Sequence, residues 1–268
     1  MHFSLLIAHY NNFDYFTECY PLLTNQTFQD FEIIIVDDCS TNGSFEKIKE
    51  LVKDKSRITL YQNPENKGVG FTKRKCMELA TGDICGFVDP DDAITENALE
   101  EMLKAYTSEK TVAAYSQLQL CDNQLNIQKT FQASKQIKNG DPLFFNIFLE
   151  ANHFFTFRRS AYEKTSGINA ELSSAVDQDL YLKLYETGDF KFVKEPLYLY
   201  RLHDKGVSQE KSKKGKLNQN WHKVIADTLK RRNITNIYGK AVADISNLPE
   251  FLYKNQNTLW KKLSRKFL

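Results

Sequence analysis

The 268-residue sequence has no CxxC pair, no histidine-rich ligand set and no apolar run near the roughly 20 residues that a bilayer crossing requires. Its five cysteines, Cys19, Cys39, Cys76, Cys85 and Cys121, are scattered and odd in number. That argues against a disulfide framework and for free thiols in a reducing, cytoplasmic setting. The opening MHFSLLIAHY lacks a basic leader and soon turns polar, so it reads as a first strand rather than a signal peptide. With 41% hydrophobic and 26% charged residues, neither disorder nor a fibre is indicated.

Charge is present but divided. Residues 1–200 carry 20 Lys and Arg against 29 Asp and Glu, net −9, whereas residues 201–268 carry 16 against 5, net +11. An acidic body therefore bears a basic tail. The first half repeats one rhythm of apolar run, polar turn and helical spacing. FSLLIA (3–8), FEIIIV (31–36), ITLY (58–61) and DICGFV (83–88) are strand candidates, and 13–23, 45–52 and 71–80 have helical spacing. Strands alternating with helices imply a mostly parallel sheet covered on both faces, with ligands beyond the carboxyl ends of its strands. Farther on, 111–120 and 153–157 read as strands, 141–150 as a helix with Pro142 in its first turn, and 177–188 as a helix stopped by Gly188. An extended run broken by Pro196 follows, then a basic linker from about residue 209 and helical segments.

Two acidic clusters stand at strand ends. In an extended chain Asp89 and Asp91 point the same way while Asp92 turns aside. Convergent carboxylates raise each other's pKa unless a cation lies between them. Oxygen ligands favour Mg2+ or Mn2+, and Mg2+ takes one or two protein carboxylates plus substrate phosphates. A solvated turn in which Asp92 or Thr95 caps the next helix is the plainer alternative. Asp37 and Asp38, at the end of IIIV, weaken it, because capping does not require two acidic strand ends on one side of one sheet. A carboxylate there can accept an N–H from a nucleobase edge.

The stretch SLLIAHYNN, QTFQDFEIIIVDDCSTNGS, NKGVGFTKRKCMELATGDICGFVDPDD resembles the nucleotide-binding half of the family-2 inverting glycosyltransferases with the GT-A fold. The likeness covers residues 3–107, resumes at 153–208 and ends there. It implies an α/β architecture, a mostly parallel central sheet flanked by helices: a catalytic domain over 1–208 (nucleotide half 1–107, acceptor half 108–208) and a basic helical extension over 209–268. By resemblance, Asp38 binds the base, Ala8 and Tyr10 lie near it, Arg74 lies near the nucleotide, Asp89 near the ribose or a metal-bound water, and Asp91 on the metal. Cys39 and Lys75 stand where the family has Gly and Asn. AVDQDLYLKL resembles the segment of the catalytic base, with Val176 in place of the usual Glu; Asp177 is the expected base and Asp179 its rival. PLYLYRLHDKGVS resembles the closing motif whose basic residues approach the diphosphate, which points to Arg201 and His203.

The chemistry suits these residue types. A base removes the acceptor proton as the hydroxyl attacks the anomeric carbon, and Mn2+ or Mg2+ neutralises the leaving diphosphate. The bland readings are a helix cap for Asp177, a surface loop for His203, and solvated or structural roles for Arg158 and Arg159. Asp38 suits a UDP-sugar, and thymine presents the same N–H, so dTDP donors stay open. The expected acceptor is a saccharide or lipid-linked saccharide. In the tail, Leu259, Trp260, Leu263 and Phe267 share one helical face opposite Lys and Arg, a pattern that suits an anionic membrane surface or packing on the protein. Aromatics are not interleaved with the basic runs, so nucleic acid is not expected as a partner. Two other classes compete: a metal-dependent phosphate-cleaving enzyme and a nucleotide-sugar-binding module without turnover. Nucleotide-sugar titration with and without Mn2+ separates the first, and turnover separates the second.

Overall fold

The computed structural model describes residues 1–203 and 214–257. Along the first half come β1 (Phe3–His9), α1 (Phe13–Thr24), β2 (Phe31–Asp37), α2 (Ser44–Val52), β3 (Ile58–Gln62), α3 (Val69–Leu79), β4 (Ile84–Phe87), β5 (Ala93–Ile94) and α4 (Ala98–Leu103). The second half adds β6 (Thr111–Cys121), β7 (Ile127–Thr130), β8 (Phe155–Arg158), α5 (Arg159–Tyr162), α6 (Val176–Tyr185) and β9 (Asp189–Arg201). Then follow α7 (Lys214–Arg231), a hairpin of β10 (Asn236–Ile237) and β11 (Lys240–Ala241), and α8 (Leu248–Gln256).

One sheet takes the order β3, β2, β1, β4, β8, β6, β9, β5, with β7 on β6. The first four strands are parallel, with Phe3 opposite both Phe31 and Ile84. Alternate residues feed opposite faces, as a period of two demands. Leu6, Ile34 and Val36 pack with Cys76 and Met77 on one side. Leu5, Ile7, Ile33 and Ile35 pack with Phe16 and Ile48 on the other. Each such fully buried side chain contributes about 1.5–3 kcal/mol, which is why these strands are apolar along their whole length. The sheet grows from β1 in both directions, so the crevice between the carboxyl ends of β1 and β4 is a topological switch point. All five cysteines are free thiols, and Cys39 is the one of them that is not buried.

Two expectations need correction. Residues 141–150 form turns rather than a helix, with Asn146 and Leu149 at positive φ. Phe144 packs into one core cluster while Phe145 and Ile147 pack into another beneath α7 and α8, a division that a single helical face does not provide. Nor does Pro196 break the extended run: β9 continues through it, and the irregularity is absorbed as a register shift against Gln117 of β6. The described part of the extension packs on the body. Ile225, Leu229, Leu248 and Leu252 join Phe145 and Ile147 in one apolar cluster. The face formed by Leu259, Trp260, Leu263 and Phe267 lies outside the described residues. No helix among the described residues is long and apolar enough to cross a membrane.

Candidate active site

The end of β2 builds one wall of the crevice. Asp37 is fully buried and receives hydrogen bonds from His9 Nδ1 (2.8 Å), the Ser40 amide (2.8 Å), the Ser40 hydroxyl (2.5 Å) and Gln62 Nε2 (3.2 Å). Burial alone would raise its carboxyl, but these donors hold it below the ordinary value. Asp38 is also buried. Its Oδ1 accepts from Asn63 Nδ2 and the Lys67 amide, and its Oδ2 from the Gly68 amide, each at 2.8 Å. Gly68 sits at φ +86°, a conformation that favours glycine and turns its N–H toward the carboxylate. A carboxylate offers about four lone-pair sites, so one remains on Asp38 for a ligand N–H. Ala8 is half-buried in β1 beside Val36, and Tyr10, just past the strand, is 45% exposed.

The end of β4 builds the opposite wall, and here each carboxylate has its own partner. Asp92 turns inward as its spacing implies, and accepts from the Tyr198 hydroxyl and the Arg201 amide, both at 2.8 Å. Burial, with Asp91 and Asp89 beside it, pushes its carboxyl well above the ordinary range. Asp91 Oδ2 meets His203 Nε2 at 2.7 Å; burial and Asp89 raise its carboxyl, and His203 opposes them. Asp89 Oδ1 lies 3.2 Å from Lys73 Nζ. The same ammonium lies 2.7 Å from Oδ1 of Asp177, in the first turn of α6. Burial favours neutral Asp177, but Lys73, and then His153, outweigh it and lower the carboxyl. The strand-end carboxylates and the expected base therefore meet through one lysine.

Several predicted site residues stand elsewhere. Arg74 is exposed on α3, with its guanidinium on the Ile168 carbonyl at 3.3 Å, and the basic residue turned into the crevice is Lys73. The buried face of α3 runs Gly70, Thr72, Lys73, Cys76, Met77, so helical periodicity carries the signal that separates the two. Arg201 is fully buried. Its nitrogens go to the Asp91 carbonyl (2.7 Å), Glu18 (2.6 Å), the Asn123 carbonyl (2.5 Å) and Cys19 Sγ (3.3 Å), which leaves it bracing the acidic turn from behind. Asp179 is buried between the Asn169 amide (2.9 Å) and Lys183 Nζ (2.7 Å), on the inner side of α6. His203 faces the site, with its ring against Tyr15 at 4.6 Å. Its buried Nδ1 has no partner among the described residues. His153 adjoins Asp177 in a recess also lined by Phe87, Phe155 and Tyr181, and its buried Nδ1 likewise has no partner among the described residues. Nothing in the spacing of His153 marks it; it lies just before β8, whose antiparallel pairing with β4 brings it to the acidic end of that strand.

An α/β sheet with acidic strand ends at its switch point, facing a carboxylate on a helix, defines the class of nucleotide-sugar-transferase-like GT-A folds. The family model for glycosyl transferase family 2 matches residues 4–166, more than half of the chain, and the chain belongs to that family. It is 30% identical to the chondroitin synthase of Escherichia coli over 238 residues, which is 86% of this chain and 33% of the synthase; it thus spans about a third of that relative's length. Among solved structures it superposes on Staphylococcus aureus TarS 1–349 in complex with UDP-GlcNAc with a TM-score of 0.71 at 18% identity, covering 98% of this chain and 78% of that one. It also superposes on a mannosyltransferase of Pyrobaculum calidifontis in complex with GDP-Man and Mn2+, at TM-score 0.62 and 15% identity, over 97% of this chain and 71% of the other. The GT-A fold is thereby shown. Asp177, Arg201 and His203 lie beyond the residues that the family model matches.

Proposed function

We propose that the chain transfers a sugar from a nucleotide-diphosphate sugar to a saccharide or lipid-linked saccharide acceptor, with inversion. The observation that carries this reading is the meeting of Asp177 with the β4 carboxylates across the switch-point crevice, through Lys73 at 2.7 and 3.2 Å. Asp177 stands 31% exposed at the crevice, and it is the base in this mechanism. As the acceptor oxygen bonds to the anomeric carbon, its proton passes to Asp177, and the bond from that carbon to the diphosphate oxygen breaks with its electron pair leaving on the diphosphate. One displacement on the opposite face gives inversion.

Asp38, with one acceptor site left beside Tyr10 and Ala8, reads the N–H of a uracil. UDP-sugars are therefore the preferred donors, in keeping with the UDP-GlcNAc bound by the TarS structure. Asp89 faces the ribose. Arg201 acts by holding the Asp89–Asp92 turn rather than by touching the diphosphate. Among the described residues no group of three or more His, Cys, Asp or Glu forms a metal cluster. Asp91, whose side chain is 23% exposed, nevertheless suits Mn2+ or Mg2+, because such an ion needs only one or two protein carboxylates when a diphosphate supplies the rest. Bound there, the ion would offset the charge of the departing diphosphate. From the five free thiols we place the reaction in a reducing, cytoplasmic setting, and the basic residues of the extension suit an acceptor borne by an anionic membrane.

Lys73 weakens Asp177 as a base, and that favours a second reading, a nucleotide-sugar-binding module without turnover. One assay separates the two: UDP release from a panel of UDP-sugars with Mn2+, with EDTA and for Asp177→Asn. Transfer requires Mn2+-dependent release that falls about 10²–10⁴-fold in the variant, the contribution of a general base. Binding of UDP-sugar with no release, unchanged by the substitution, would instead favour the binding module or a missing acceptor, and a screen of lipid-linked acceptors decides between these two.

A further inference from the structure

A base held by an ammonium is a poor base, and the position of that ammonium is built in. Lys73 is 4% exposed at its side chain and reaches two carboxylates from different halves of the chain, Asp89 after β4 and Asp177 on α6. The approach that makes this possible rests on Gly70, one turn earlier on α3. A Cβ there would lie 2.6 Å from the carbonyl oxygens of both Asn169 and Leu172, and its amide donates to the Leu172 carbonyl at 3.1 Å. Helix α3 is thus locked against the segment that leads into α6, and its ammonium is delivered to the base.

We propose that Lys73 is a positioning residue that couples donor binding to the base. Its ammonium holds Asp177 in the arrangement seen here, and a diphosphate arriving beside Asp89 draws that ammonium away and frees Asp177 to take the acceptor proton. The inference rests on the donor reading above. Its physical basis is competition for a single buried cation. Arg201 does not serve the incoming anion, since it is fully buried with four of its five N–H donors engaged behind the turn. The titratable groups that face Asp177 are Lys73 from α3, Asp89 from the β4 turn, His153 from the segment before β8 and Tyr181 from α6 itself. Of these, Lys73 is the one in contact with both the base and the donor side.

The test is a carboxyl NMR titration of the full chain labelled at aspartate Cγ, with the Asp177 signal assigned by Asp177→Asn. It is run on the wild type and on Lys73→Met and Lys73→Arg, each with and without saturating UDP. Asp177 in the wild type should titrate below the free carboxyl, and UDP should raise its midpoint by about one pH unit, a tenfold change in proton affinity. Lys73→Met should titrate higher by about one to three units and no longer respond to UDP. Lys73→Arg should keep the low midpoint. A wild-type midpoint that saturating UDP leaves in place overturns the coupling, and this arm needs no variant to fold. A midpoint unmoved in a folded Lys73→Met overturns the tether. If the wild type binds no UDP, the donor reading and the coupling fall together, and the Lys73→Met midpoint still decides whether Lys73 holds the carboxylate.

Discussion

The acidic ends of β2 and β4 look alike in sequence and differ in what neutralises them. Asp37 and Asp38 are held by hydrogen bonds from the two neighbouring strands and the two adjacent loops. Asp89, Asp91 and Asp92 draw their partners from α3 and from Tyr198, Arg201 and His203 at and beyond the end of β9. A carboxylate fixed by several short local bonds builds structure. One whose partner is a cation brought from elsewhere leaves a charge balance that a ligand can change, because the cation can be shared.

The largest expected effect sets the two ends against each other. Asp37→Ala strands the buried His9 Nδ1 and the Ser40 donors and should cost about 1–3 kcal/mol for each donor left unpaired, read from urea unfolding. Asp91→Asn should leave stability level or slightly raised, because burial and Asp89 already press that carboxyl toward neutrality. The same variant should lower Mn2+-dependent UDP release about 10²-fold or more. Equal loss of stability in both variants would mean that the two ends are the same kind of feature. Next in size is Arg201→Lys, which keeps a charge but loses the fork that joins the Asp91 carbonyl, Glu18 and Asn123. It should destabilise by about 2–3 kcal/mol, read from urea midpoints, while nucleotide affinity in the folded protein changes little.

The sequence made the parallel half of the sheet legible, because strands buried on both faces must be apolar throughout and helices between them must be amphipathic. It also exposed the strand-end acids. The assignment of roles was less legible. Arg74 and Lys73 are adjacent letters, and only the helical face separates them. Arg201 is a cation in the expected motif, but its partners Glu18, Cys19 and Asn123 are about 80 to 180 residues away, and no local pattern encodes that closure. The turns at 141–150 follow from apolar side chains that serve two clusters, one of them built by the extension, so the tertiary context decides against the helical spacing.

The contrast between the strand ends also has a pH signature, and the signs are opposite. Asp37 titrates below its unfolded value of 3.8, so its stabilisation is present above that value and is lost as pH falls through the folded one. Asp92 titrates above 3.8, so its contribution is complete below that value and is lost as pH rises through the folded one. Urea midpoints followed from well below pH 3.8 up to neutral pH should therefore fall less steeply on the acid side in Asp37→Asn, and less steeply on the alkaline side in Asp92→Asn. The same change of slope in both variants would erase the distinction.

The smallest effect concerns the far wall of the crevice, where the extension meets the base helix. Asn220 on α7 donates to Ser174 Oγ at 2.8 Å and to Ser173 Oγ at 3.2 Å, directly before α6. Arg231 and Arg232, at and just past the end of α7, bind Glu186 at the other end of α6, so the extension grips the base helix at both termini. Ala175, between the serines and Asp177, sits at φ +58°, and a non-glycine residue holds that conformation only where its surroundings impose it. Asn220→Ala should therefore cost about 1 kcal/mol globally, the worth of an ordinary hydrogen bond. Its larger mark should be faster amide exchange confined to residues 173–178, with UDP affinity unchanged because β2 and β4 are untouched. If exchange quickens at the β4 turn as well, the two walls are one cooperative unit, and the separation between a locally fixed end and a ligand-tunable one has to be redrawn to include α7.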